Sequence, residues 1–172
     1  AWVRGARARP LLATTVWPLV QLGLVPVFVD VDPVTLAIDL ESARKVLGPR
    51  TKAMFLIQVL GRAPEMASYQ KFCADHGLQL LEDTCESLGA HSNRRHAGTF
   101  GLFGSFSFYF SHHISTIEGG MVVTDDAGLD DELRGLRAHG WARNRSDKAK
   151  WRARYPDFDE RFLFISAAWR SM

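Results

Sequence analysis

Short apolar runs alternate with helical periodicity along most of this 172-residue chain, and that alternation limits its fold more than any other feature. Residues 25–31 (VPVFVDV), 52–60, 78–81, 105–110 and 121–124 read as strands. Asp39 is placed to cap a helix over residues 40–47, which Gly48 and Pro49 stop. Pro64 suits a first helical turn, and Met66, Tyr69, Phe72 and Cys73 share one face of a helix ending at Gly77. A further helix over residues 129–138 has Leu129, Leu133 and Leu136 as apolar positions. The strand runs are apolar almost throughout, as strands buried on both faces must be. The pattern predicts an α/β fold, three layers (α/β/α) around a mostly parallel sheet.

At 47% hydrophobic and 23% charged, the composition supports one sizeable core. The longest apolar stretches are too short to cross a bilayer, so no membrane role is expected. The basic start (Arg4, Arg7, Arg9) leads into no apolar segment of the length a secretory leader needs. Cys73 and Cys85 are the only two thiols, which fits a reducing cytoplasmic setting better than a disulfide framework. The net charge of +2 conceals a split. Arg143, Arg145, Lys148, Lys150, Arg152 and Arg154 crowd one segment, the three early arginines another, and the rest is acidic. Neither basic segment is interleaved with the stacking aromatics that a single-strand binder uses, so no nucleic acid is expected as partner.

Asp83 ends the apolar run that contains Leu80 and Leu81, where open α/β sheets place their ligands. A carboxylate there suits a protonated ring nitrogen, although an acid after a strand is also an ordinary cap or loop residue. Ser107 and Ser111 flank the run Phe108, Tyr109, Phe110. Their hydroxyls could hold a phosphate, or the alternation could be that of a half-buried strand. His112 and His113 are adjacent and would point to opposite faces of a strand, so they do not suggest one shared metal. One could equally be buried and hydrogen-bonded, and the other exposed. Glu118, Gly119 and Gly120 mark a tight turn. Arg137, His139 and Arg143 cluster after the last helix, either as charges favoured by a helix end or as a cationic patch for a diphosphate-linked substrate.

The order of three segments is more specific than any residue alone. LLEDTCESLGA (80–90), AGTFGLFGSFSFYFSHHISTIEGGMVVTDD (97–126) and RAHGWARN (137–144) together resemble the DegT/DnrJ/EryC1/StrS family of pyridoxal-phosphate-dependent sugar enzymes. The likeness covers about residues 14 to 165. It implies the large domain of the aspartate aminotransferase fold. In members that transfer amino groups the loop reads approximately S-F-H-P-T-K-x-x-T-x-G-E-G-G, and the reactive lysine falls on His112. One branch, the sugar 3-dehydratases, has histidine there. A related CDP-linked branch adds iron–sulfur cysteines after the R-x-x-G region, and this chain has none beyond Cys85.

The resemblance implies that pyridoxal or pyridoxamine 5′-phosphate is the cofactor and a nucleotide-linked 4-keto-6-deoxy sugar the substrate. Glutamate would be the amino donor, a homodimer the working form, and surface polysaccharide (O-antigen) synthesis the setting. Asp83 would pair with the ring nitrogen, Glu86 would lie near the ring's other polar groups, and Ser107 would hold the phosphate. His112 would be the proton-moving base in loss of the C3 hydroxyl, and Arg143 would bind substrate. A sugar aminotransferase of the same family is the alternative, which His112 argues against. The family's upstream Gly-Ser phosphate loop is absent. Pro10, Leu11 and Leu12 stand where an aromatic could stack on the ring, and Ala167 to Arg170 replace a G-Y-N-x-R segment. Residues 1–12 and 167–172 therefore read as unmatched ends around a partial cofactor-binding domain over 13–166, with a small C-terminal domain missing. A non-catalytic fragment is the third reading.

Overall fold

A computed structural model of the protein describes residues 13–165. The unmatched ends read from the sequence, with Arg4, Arg7, Arg9 and the Ala167 to Arg170 segment, lie outside the described residues. The chain divides into two compact units at the Val123/Thr124 junction.

The first unit holds helices α1 (Ala13–Gln21), α2 (Leu40–Val46) and α3 (Met66–His76) and strands β1 (Ala53–Ile57), β2 (Gln79–Asp83), β3 (His91–Ser92), β4 (Arg95–His96), β5 (Phe103–Ser107) and β6 (Gly120–Val123). The main sheet has the order β1-β2-β5-β6. The first three strands are parallel, in the register Ile57, Asp83, Ser105, and β6 runs antiparallel to β5. The mostly parallel α/β sheet is thus the one the apolar runs require. Its core joins Met54 and Leu56 of β1, Leu80 of β2 and the α3 face Met66, Tyr69, Phe72 and Cys73. Each fully buried side chain of this kind contributes roughly 1.5–3 kcal/mol. The Tyr69 hydroxyl donates to the Ile38 carbonyl at 2.8 Å, which satisfies the one polar atom that face carries inward.

Two helix ends are set by single residues. Asp39 caps α2, accepting from the N–H groups of Glu41 and Ser42. Gly77, at φ 64°, closes α3 in the left-handed conformation that glycine adopts without strain. The other end of α3 differs from the sequence reading. Glu65 is its cap, accepting from Ala67 and Ser68, so Pro64 lies before the helix rather than in its first turn.

Residues 25–31 are extended but form no strand. Their ordered pairing is one antiparallel bridge, Val31 to Ile38, and Val25 and Val27 are exposed. β-branched residues favour extended backbone, and among the described residues no strand pairs with them to build a ladder. β1 stops at Ile57, before the expected residue 60, because Gln58 turns its side chain into a buried polar cluster and Leu60 takes φ 54°. β5 begins at Phe103, two residues before its expected start. Gly104 is required inside it, since a Cβ there would lie 2.1 Å from the Gly98 carbonyl oxygen. Between β3 and β4, Asn93 and Arg94 both take positive φ (49° and 65°), as a two-residue type I′ hairpin turn demands.

The second unit holds helix α4 (Ala127–Arg137), a 3-10 turn over Ala142–Asn144, helix α5 (Lys148–Arg154) and a 3-10 turn over Glu160–Phe162. Asp126 caps α4 through the Leu129 N–H, and the helix starts at Ala127, two residues before its expected start. Leu129 and Leu133 are half-buried, whereas Leu136 faces solvent. The basic segment that the sequence left unassigned contributes α5. Among the described residues no helix is long and apolar enough to cross a membrane.

Candidate functional site

Parallel pairing sends the C-terminal ends of β1, β2 and β5 to one edge of the sheet. Asp83 is the last residue of β2 and Ser107 the last of β5. Since Asp83 pairs with Ser105, Ser107 stands two residues, roughly 7 Å, further along the same edge. The residues predicted as ring-nitrogen and phosphate contacts therefore share the sheet edge at which such folds bind ligands.

Asp83 is 9% exposed. Its Oδ2 accepts from the Thr15 hydroxyl of α1 at 2.7 Å, and its Oδ1 accepts from the Cys85 N–H at 3.2 Å. The Cys85 thiol lies beside it and is pushed up to about 12, first by burial, then by its hydrogen bond to Asp83 and by the Asp83 charge. Such a thiol stays protonated near neutral pH and is a poor nucleophile. Burial also pushes the Cys73 thiol up.

One position earlier, Glu82 is fully buried on the opposite side of the strand. Its Oε1 accepts from the N–H groups of Phe100 and Gly101, at 2.6 and 2.7 Å. Its Oε2 accepts from the Gly98 N–H at 2.7 Å and from the Gln58 amide at 2.6 Å. Four donors satisfy a buried carboxylate that would otherwise cost several kcal/mol. Glu82 thereby fixes the segment of residues 98–101 against β2. A Cβ at Gly101 would lie 2.3 Å from the Leu80 carbonyl oxygen, so this segment needs its glycines to come so near. Sequence reading missed Glu82 because its partners lie 16 to 24 residues away.

The loop of residues 108–119 joins β5 to β6 and contains His112. Its base is tied by the Phe108 N–H to the Gly119 carbonyl and by the Thr116 N–H to the Phe108 carbonyl. The Ser107 hydroxyl accepts from the Tyr109 N–H at 3.2 Å. His112 is half-buried in a turn, its N–H donating to the Tyr109 carbonyl, with the two rings 6.4 Å apart. His113 is exposed. Residues 107–120 contain no lysine, so the loop offers an imidazole where an amine could form a covalent tether. Glu86 reaches across to the loop after β1, its carboxylate accepting from the Leu60 N–H at 3.3 Å and its carbonyl from Gly61.

Arg143 belongs to the second unit, where its exposed guanidinium lies 5.2 Å from the centre of the Trp141 ring. Arg145, two residues on, is buried and does structural work. It binds the Asp147 carboxylate through two nitrogens at 2.7 and 2.8 Å and donates to the Asp131 carbonyl. That hydrogen-bonded pairing lowers Asp147 from 3.8 to about 2.

The residues present fit a pyridoxal-type cofactor at the strand edge. A buried carboxylate with defined donors suits a protonated ring nitrogen, and a serine ends the next strand.

Comparison with known proteins gives the same answer. Residues 12–169 match the sequence profile of the DegT/DnrJ/EryC1/StrS aminotransferase family. The chain is 44% identical over 155 residues to GDP-4-keto-6-deoxy-D-mannose 3-dehydratase of Escherichia coli O55:H7, covering 89% of this chain and 40% of that protein. It is 46% identical over 132 residues to the Yersinia pseudotuberculosis enzyme of the same name, covering 77% and 34%. Among solved structures, the E. coli 3-dehydratase with bound hydrated PLP aligns with a TM-score of 0.78 and 41% identity, covering 90% of this chain and 40% of that one. The chain thus spans about 40% of the length of these relatives.

Proposed function

We propose that this chain, which belongs to the DegT/DnrJ/EryC1/StrS aminotransferase family, carries the cofactor edge of a pyridoxamine-phosphate-dependent 3-dehydratase acting on a nucleotide-linked 4-keto-6-deoxy sugar. The observation that carries the reading is His112, in a loop that lacks lysine and follows a strand ending in a buried aspartate. Similarity to two 3-dehydratases supports it.

Bound pyridoxamine phosphate supplies an amine for the C4 ketone and a ring that accepts electrons. Asp83 holds the proton at the ring nitrogen, which keeps that ring electron-poor. Ser107 binds the phosphate through its hydroxyl, Glu86 lies near the ring's polar substituents, and Arg143 binds the substrate diphosphate. His112 would take a proton at the cofactor's methylene carbon and supply one to the departing C3 hydroxyl, which would leave as water. After hydrolysis the products would be a 3-deoxy-4-keto sugar and ammonia, with glutamate restoring the amine and leaving as 2-oxoglutarate. An imidazole suits this because it exchanges protons near neutral pH and cannot tether the cofactor as a lysine does. The working form is a homodimer. Phe110 and Ile117 project into solvent from the His112 loop, as side chains that meet a second subunit would.

The test has two readouts. Borohydride added after pyridoxal phosphate leaves no stable adduct on the loop of the wild-type chain, whereas His112→Lys gives one. In the enzyme with its 4-keto-6-deoxy nucleotide sugar, His112→Asn abolishes ammonia release and keeps cofactor affinity within about twofold. A wild-type adduct on this loop, or turnover that survives His112→Asn, overturns the proposal.

A further inference from the structure

We propose that Thr15 is a positioning residue for the cofactor, setting the Asp83 carboxylate in the orientation that receives the ring nitrogen. The inference rests on the cofactor reading above and adds to it a residue 68 positions away from its target.

Thr15 is one of the few buried polar side chains of the first unit, 9% exposed, and the buried residue of α1. Thr15 lies in the first turn of α1 and donates out of its helix, at 2.7 Å, to the Oδ2 of a carboxylate at the end of β2. The other oxygen, Oδ1, takes the Cys85 N–H at 3.2 Å.

The torsion that rotates an aspartate's carboxylate plane is soft, with broad preferences. One donor on each oxygen, from two different elements, removes that freedom. Both Cys85 donors, its N–H and its thiol, come from the turn that directly follows β2, so the control exerted from a separate element comes from Thr15. An ionised carboxylate has about four lone-pair sites, and these donors leave capacity for a ring N–H. Electrostatic contacts of this kind depend on donor and acceptor being aligned before the ligand arrives.

The test is cofactor binding by the purified chain, followed by absorbance, for the wild type, Thr15→Val and Thr15→Ser. Valine keeps the shape and removes the hydroxyl, and serine keeps the hydroxyl. Two ligands are used: pyridoxal phosphate, and its analogue with carbon in place of the ring nitrogen. Thr15→Val is expected to bind pyridoxal phosphate about tenfold more weakly, as loss of a hydrogen bond to a buried charged group does. Thr15→Ser is expected to recover most of that loss. Wild type and Thr15→Val are expected to bind the carbon analogue alike, because it offers Asp83 no ring N–H. Unchanged pyridoxal phosphate binding in Thr15→Val overturns the inference. Equal weakening for both ligands overturns it as well, since the threonine would then serve only the packing of α1. A wild-type chain that binds neither ligand overturns the cofactor reading and this inference with it.

Discussion

The end of β2 and the loop of residues 108–119 treat their polar groups in opposite ways. At the end of β2, two consecutive carboxylates are buried and receive six hydrogen bonds between them, four at Glu82 and two at Asp83. In the loop, His112 sits half-buried on a turn, and Phe110, Ile114 and Ile117 face solvent. A group that only stabilises charge gains from being fixed, because preorganised dipoles need no reorganisation during the reaction. A base that carries a proton from one atom to another needs access to both. The second unit repeats the contrast two residues apart, with Arg145 buried and paired and Arg143 exposed over an aromatic face.

Mutations should divide along this contrast. Glu82→Ala is expected to have the largest effect, roughly 3–5 kcal/mol lost in denaturant unfolding, because three backbone N–H groups and a buried glutamine lose their acceptor. A loss below about 1 kcal/mol would mean that the strand end is no more fixed than the loop. Arg145→Ala should cost less, about 1–2 kcal/mol, since Asp147 keeps partial solvent contact. It should also change the acid limb of the stability curve. The Asp147 value is 3.8 unperturbed and about 2 in the folded chain, so its pairing stabilises above about pH 4 and is lost as pH falls through about 2. Removing Arg145 should flatten that part of the profile, and an unchanged slope would break the assignment. His112→Asn should have the smallest effect on folding, within about 0.5 kcal/mol of wild type in thermal unfolding. A larger loss would make the histidine a structural residue and erase the difference between loop and strand end.

What the sequence revealed and what it hid divide by the range of the interactions. Asp39 and Gly77 end helices through bonds to residues next to them in the chain, and both were readable from their types alone. The parallel sheet was readable because burial on both faces leaves continuous apolar runs. Residues 25–31 are extended as their composition favours, and among the described residues their one bridge, Val31 to Ile38, is a pairing that composition does not show. The expected strand began at 105 and left out Gly104, whose reason for being glycine, the Gly98 carbonyl 2.1 Å from its would-be Cβ, belongs to a loop folded back against it. Asp83 and His112 stood out through their place in a pattern. Thr15 and Glu82 did not, as each acts on groups brought near by folding, and Arg145 ties its chain neighbour Asp147 to the more distant Asp131 carbonyl. Arg143 and Arg145 are the same residue type in one basic segment, and only the fold tells the exposed one from the paired one.

The two raised thiols have a practical consequence. Cys85, at about 12, and Cys73, also pushed up, are the chain's only cysteines and should be almost silent toward thiol reagents near neutral pH. The native protein therefore comes with a dark background for site-specific labelling. One cysteine introduced on the exposed rim of the histidine loop would carry a dye alone, and the loop's motion could be watched without removing either native sulfur.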